Sequence, residues 1–136
     1  MSAIRTLIVE DSPVIRENLV ATLEELGPVR VVGTVEDEPA ALQWLESAPE
    51  DCELMIVDLF LKRGSGLGVL AAVGRLRTQP RVVVLSNYAT PGMRKRCLAL
   101  GADRVFDKSN EIDALLEYCV QLAAAPPDGP TGSGRS

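Results

Sequence analysis

Apolar residues in this chain fall into short unbroken runs, separated by longer stretches where they recur every three or four positions. The runs Thr6-Leu7-Ile8-Val9, Val29 to Val35, Leu54-Met55-Ile56-Val57, Val82-Val83-Val84-Leu85 and Arg104-Val105-Phe106 predict five strands. Runs apolar at every position, rather than at alternate ones, belong to strands covered on both faces. The stretches between them predict helices. Ile15, Leu19, Leu23 and Leu26 mark the first, which Ser12-Pro13 caps and Gly27-Pro28 stops. Ala41, Leu42, Trp44 and Leu45 mark a second, opened by Glu36-Asp37-Glu38-Pro39 and broken at Pro49-Glu50-Asp51. Leu67, Leu70, Val73 and Leu76 mark a third, beyond the glycine-rich turn Lys62-Arg63-Gly64-Ser65-Gly66. Thr90-Pro91 starts a fourth, with Met93, Cys97 and Leu100 on one face, and Asn110 caps a fifth carrying Ile112, Leu115, Leu116, Cys119 and Leu122.

Strand and helix therefore alternate with short connections. Such a chain folds as a doubly wound α/β domain, its parallel strands joined by right-handed crossovers and its helices on both faces. The usual strand order is 2-1-3-4-5, with the switch point between the first and third strands. That order makes the carboxyl ends of strands one and three neighbours. Glu10, Asp11 and Asp58 then share one crevice, and Ser86 and Lys108 line the same sheet edge.

Composition narrows the function. The 136 residues hold one domain and one core. A net charge of -5 opposes a nucleic-acid surface, which needs a basic face. Cys52, Cys97 and Cys119 are widely spaced, form no CxxC pair and fit a reducing compartment. With 0 histidines, histidine catalysis and histidine-ligated metals are excluded. The first residues lack a signal-peptide pattern, and no apolar run reaches the length of a membrane span.

Three crowded carboxylates repel one another unless a cation sits among them. Carboxylate and carbonyl oxygens suit Mg²⁺, a lysine supplies a compact charge for a phosphoryl group, and a serine hydroxyl can donate to its oxygens. Together these are parts for phosphoryl transfer to a carboxylate. Taken singly, each residue has an ordinary structural explanation: a helix cap at Asp11, loop solvation at Glu10 and Asp58, a turn hydroxyl at Ser86, a surface amine at Lys108. Their shared position on one sheet edge is what favours chemistry.

Glu10-Asp11, Asp58, Ser86 and Phe106-Asp107-Lys108, in that order on those strand ends, resemble the response regulator receiver domain of two-component signalling. The resemblance runs from about Ile4 to Leu122 and implies a flavodoxin-like (βα)5 fold. It implies that Asp58 is the phosphoacceptor for a sensor histidine kinase or a histidine phosphotransfer protein. Asp11, Asp58 and the backbone carbonyl of Phe60 would bind Mg²⁺, with Glu10 acting through water. Lys108 would pair with Asp58 and then with the phosphoryl oxygens. Ser86 would move toward the phosphoryl group and Phe106 would follow inward. The face of the fourth helix, fifth strand and fifth helix would report the change to a downstream protein or to a second copy of the chain. Such a domain is cytoplasmic, touches neither nucleic acid nor membrane directly, and has no chemistry beyond gaining and losing its phosphoryl group.

Three departures from the family pattern stand out. Phe106 replaces a common tyrosine, Lys62 a common proline, and Ser109 a proline after Lys108, where a non-proline cis bond is costly. Phe60 and Tyr88 put bulky rings where polar groups could act on water, so slow loss of the phosphoryl group is expected. Gly64-Ser65-Gly66-Leu67-Gly68 is not a dinucleotide loop, since Val69 stands at the third glycine position and the loop follows the third strand. Arg94-Lys95-Arg96 is either a solvated helix face or a contact for an acidic partner. Residues 1–124 form the expected receiver unit. Residues 125–136, rich in Pro, Gly and Ser, are expected to be a disordered tail or the start of a linker. The chain is expected to be a stand-alone receiver; the alternatives are a receiver cut from a longer regulator and an aspartate-nucleophile phosphohydrolase.

Overall fold

A computed structural model describes residues 3–47 and 52–124. The expected helix break at Pro49-Glu50-Asp51 and the tail 125–136 lie outside the described residues. Within them the chain runs β1 (Ile4–Val9), α1 (Pro13–Leu26), β2 (Val29–Val35), α2 (Glu38–Ser47), β3 (Leu54–Val57), α3 (Gly66–Val73), β4 (Arg81–Ser86), α4 (Pro91–Ala99), β5 (Arg104–Asp107) and α5 (Ile112–Ala124). The five strands form one parallel sheet in the order β2-β1-β3-β4-β5.

The unbroken apolar runs arise because the sheet feeds two cores, one on each face, where the chain length suggested one. Along β1, β3 and β4, Leu7, Val9, Met55, Val57, Val82 and Val84 face one layer, which Ala41, Leu45, Val69, Leu70 and Cys97 complete. The alternate residues Ile8, Leu54, Ile56, Val83 and Leu85 face the other, with Leu19, Leu23, Leu115 and Cys119. Every one of these side chains is buried, and burying a large aliphatic side chain is worth about 1.5–3 kcal/mol. The edge strand β2 is looser: Val31 and Val35 are half-buried, which explains its less regular pattern.

Three expectations shift in detail. β1 begins at Ile4, because the Ile4 N–H already donates to Pro28 O at 2.8 Å. α3 closes at Val73 in a tight turn, with Arg75 N–H donating to Ala72 O and Leu76 N–H to Val73 O. Leu76 still packs on the core. Leu26 does not, and is 65% exposed in the last turn of α1.

Candidate functional site

Strand register assembles the site before any side chain does. Val9 pairs with Val57, Val57 with Val84, and Ser86 with Asp107. The chain therefore leaves β1 and β3 side by side, and Asp58 N–H continues the ladder by donating to Val9 O at 3.0 Å. Lys108 N–H extends the β4–β5 ladder in the same way, to Ser86 O at 3.0 Å. This is the carboxyl edge, where open α/β sheets carry their ligands.

Glu10, Asp11 and Asp58 each direct a carboxylate oxygen into a cluster within 4.8 Å of one another. Glu10 and Asp58 are buried, and Asp11 is half-buried. Lys108 Nζ lies 2.7 Å from Glu10 Oε1 and donates to Asp58 Oδ2 at 3.1 Å. The approach to Glu10 is close but poorly aligned, so Oε1 is ion-paired yet lacks a directed hydrogen bond. Glu10 Oε2 accepts from Ser12 N–H at 3.1 Å, and Arg16 Nη1 donates to the Glu10 carbonyl at 2.9 Å.

Burial is the main influence on Glu10 and raises its carboxyl above the ordinary value; Lys108 and the Ser12 amide oppose this without cancelling it. Burial would likewise lower the Lys108 amine, but its contacts with Glu10 and Asp58 outweigh that and hold it above its usual value. One buried ammonium thus balances two buried carboxylates, and Asp11 adds a third negative charge. Such a cluster attracts a hard cation.

The remaining predicted residues are more spread out. Phe60 N–H points to Asp58 Oδ1 at a long 3.4 Å, which sets the Phe60 backbone beside the acidic cluster. Ser86 is fully buried, and its Oγ accepts from Tyr88 N–H at 3.0 Å, folded into its own turn. Phe106 is already buried in the α1/α5 layer, its ring edge-on to Tyr118 at 6.1 Å. Phe60 and Tyr88, both more than half exposed, pair edge-to-face at 5.0 Å. All peptide bonds among the described residues are trans, including Lys108-Ser109.

Residues 6–119 match the response regulator receiver domain family. The chain belongs to that family. A protein-glutamate methylesterase/protein-glutamine glutaminase from Methanospirillum hungatei is 31% identical over 121 residues, covering 88% of this chain and 35% of that protein. The chain spans between 35% and 62% of the length of three curated relatives that it matches. Among solved structures, the signal receiver domain of the putative response regulator NarL from Mycobacterium tuberculosis superposes with a TM-score of 0.80 at 25% identity, covering 93% of this chain and all of that one. A response regulator from Burkholderia pseudomallei, solved with a phosphorylated aspartic acid, calcium ion and citrate, gives 0.72 at 27% identity, over 87% of this chain and 66% of that one. This receiver shares their parallel five-stranded sheet, and among the described residues no helix is long and apolar enough to cross a membrane.

Several side-chain contacts in the receiver left no trace in the hydrophobic pattern. Arg16 on α1, Arg94 with Glu111, and Tyr118 with Asp103 all make side-chain contacts across elements. The acidic triplet Glu36-Asp37-Glu38 reaches Lys62, Arg63 and Ser65. The acidic triplet and the Lys62-Arg63 pair, of opposite charge, were the available signal.

Proposed function

We propose that this receiver is a phosphorylation-controlled switch in which Asp58 accepts a phosphoryl group from a phosphohistidine on a sensor histidine kinase or histidine phosphotransfer protein. The observation that carries the reading is the Lys108 ammonium wedged between Glu10 and Asp58 in a buried cluster of like charges. A scaffold has no need of that repulsion. In the transfer, a carboxylate oxygen of Asp58 forms a bond to phosphorus as the phosphorus–nitrogen bond of the donor breaks, its electron pair returning to the imidazole. Lys108 then turns from the carboxylates to the phosphoryl oxygens.

The acidic cluster fits Mg²⁺, since Glu10 Oε1 is buried without a directed partner and two further carboxylates stand beside it. Asp11, Asp58 and the Phe60 carbonyl would hold it, with Glu10 acting through water. Bound there, the ion supplies positive charge to the crowded oxygens. Ser86 would leave the Tyr88 amide to donate to a phosphoryl oxygen, dragging the turn after β4. The readout would pass through Phe106 to the α4–β5–α5 face, to a downstream protein or a second copy of the chain. On this reading residues 1–124 are the signalling unit, 125–136 a tail or linker, and the domain works in the cytoplasm.

An aspartate-nucleophile phosphohydrolase would carry an acid two residues after the nucleophile, and here that position is Phe60. Incubation with Mg²⁺ and acetyl phosphate, and in parallel with a phosphate ester such as p-nitrophenyl phosphate, separates the two readings. A switch takes up at most one hydroxylamine-labile phosphoryl group per chain, and EDTA prevents it. Continuing turnover of a phosphate ester would overturn the proposal. In the same assay Phe60→Asn should lose its phosphoryl group faster than wild type, because the Phe60–Tyr88 pair shields the site; equal decay would refute that shielding.

A further inference from the structure

The loop leaving β3 is fastened to the start of α2. Glu38 N–H donates to Arg63 O at 3.0 Å, and Glu38 Oε1 accepts from Ser65 N–H at 2.9 Å. The Glu38 side chain occupies the space that a Cβ at Gly64 or Gly68 would need. Gly64 also adopts φ +78°, a turn that glycine makes without strain. Asp37, 3% exposed, accepts from Ala40 N–H through Oδ1 at 2.9 Å and pairs with the Arg63 guanidinium through Oδ2 at 3.0 Å. Glu36 pairs with Lys62 at 2.9 Å.

These contacts do not weigh equally. The Lys62–Glu36 side chains are 61% and 45% exposed, and such surface pairs contribute little. Glu38 and Asp37 instead offer charged oxygens to backbone amides, the stronger kind of hydrogen bond. Glu38 therefore carries most of the fastening.

Ser65 is the next link. Its hydroxyl caps α3, accepting from Leu67 N–H and Gly68 N–H, and its backbone forms an antiparallel bridge with Phe60. Gly66 N–H donates to Leu59 O at 2.9 Å, and a Cβ on Gly66 would collide with the Asp58 carbonyl. Phe60 N–H in turn approaches Asp58. A continuous path of contacts, short at Glu38 and longest at Phe60, runs from Glu38 through Ser65 and Phe60 to the acidic cluster.

We propose that Glu38, seconded by Asp37, is a positioning residue for the Mg²⁺ site: it fixes Ser65 and thereby holds the Phe60 backbone in place against Asp58. This rests on the reading of the Phe60 carbonyl as a metal ligand. Mg²⁺ demands near-octahedral oxygens at short range, so a displaced carbonyl costs affinity. The ordering that a proline at position 62 would give through a fixed φ is supplied here by hydrogen bonds from the neighbouring loop.

The test is Mg²⁺ titration calorimetry on the full chain, with amide hydrogen exchange at Ser65 followed by NMR. Glu38→Ala should speed exchange at Ser65 and weaken Mg²⁺ binding about tenfold, the low end for loss of a ligand's outer partner. Glu38→Gln keeps an acceptor oxygen and should stay closer to wild type than to the alanine variant. If Glu38→Ala does not fold, Arg63→Ala replaces it, with a smaller change in the same direction. Faster exchange at Ser65 with unchanged Mg²⁺ affinity would overturn the proposal. So would a Gln variant as weak as the Ala variant, since charge rather than position would then be at work. Wild type that binds no Mg²⁺ through Asp58 would defeat the metal reading itself, a different outcome from either of these.

Discussion

Lys108 stands between Glu10 and Asp58 with about one-tenth of its side chain exposed. Removing one partner from a buried ionic group typically costs about 3–5 kcal/mol, because the remaining charges stay desolvated and unpaired. Lys108→Ala leaves two buried carboxylates facing each other with Asp11 beside them. We expect it to lose about 3 kcal/mol of stability in urea unfolding at neutral pH, the low end of that range. Added Mg²⁺ should restore part of the loss by entering the same cluster. A variant as stable as wild type without Mg²⁺ would show that the lysine does not hold the site together. Ser86 and Phe106 behave differently. Both are already satisfied where they stand, in a turn and in the α1/α5 core, so any switching must break contacts before it makes new ones.

Arg94 joins three elements of the proposed output face. Its guanidinium donates to Ala89 O at 3.0 Å, Val105 O at 2.7 Å and Glu111 Oε1 at 2.8 Å. Glu111 Oε1 also accepts from Asp107 N–H at 2.7 Å, tying β5 to the start of α5. Arg94 is thus a structural member of the basic run, while Lys95 and Arg96 remain exposed. The contact with Arg94, then the Asp107 amide, hold the Glu111 carboxyl below its ordinary 4.5. A depressed carboxyl contributes stability that is present above pH 4.5 and lost as pH falls through its folded value. The difference in stability between wild type and Glu111→Gln should therefore shrink below pH 4.5, as read by melting temperature at a series of pH values. A difference independent of pH from neutral down to the acid transition would contradict this. Close by, Tyr118 Oη donates to Asp103 Oδ2 at 2.6 Å, and the Arg104 guanidinium lies 5.8 Å from the Phe106 ring centre and 5.6 Å from that of Tyr118. The buried Phe106 is held among these neighbours without a hydroxyl of its own.

Across the whole molecule, the parts legible from sequence were those governed by periodicity and local capping. The doubly buried strands β1, β3 and β4 declare themselves as continuous apolar runs, and Ser12-Pro13 and Thr90-Pro91 mark helix starts that the backbone adopts. Once the strand order follows, the meeting of Glu10, Asp11 and Asp58 is a geometric consequence. Contacts between side chains far apart in the chain were not legible, since Glu38 reaching Ser65 or Arg94 reaching Glu111 leaves no repeat. The glycines at 64, 66 and 68 read from sequence only as a turn that is not a dinucleotide loop; they are small because Glu38 and the Asp58 carbonyl occupy the space beside them. Leu26 shows the opposite failure, matching the helical stripe yet lying in solvent.

The proposed switch requires that the phosphoryl group attach to Asp58. Intact mass and peptide mapping after incubation with acetyl phosphate and Mg²⁺ measure this directly. One phosphoryl group on the peptide carrying Asp58, absent in Asp58→Asn and after EDTA, is the predicted result. A phosphoryl group on another residue of the wild-type chain, or undiminished labelling of Asp58→Asn, would contradict it.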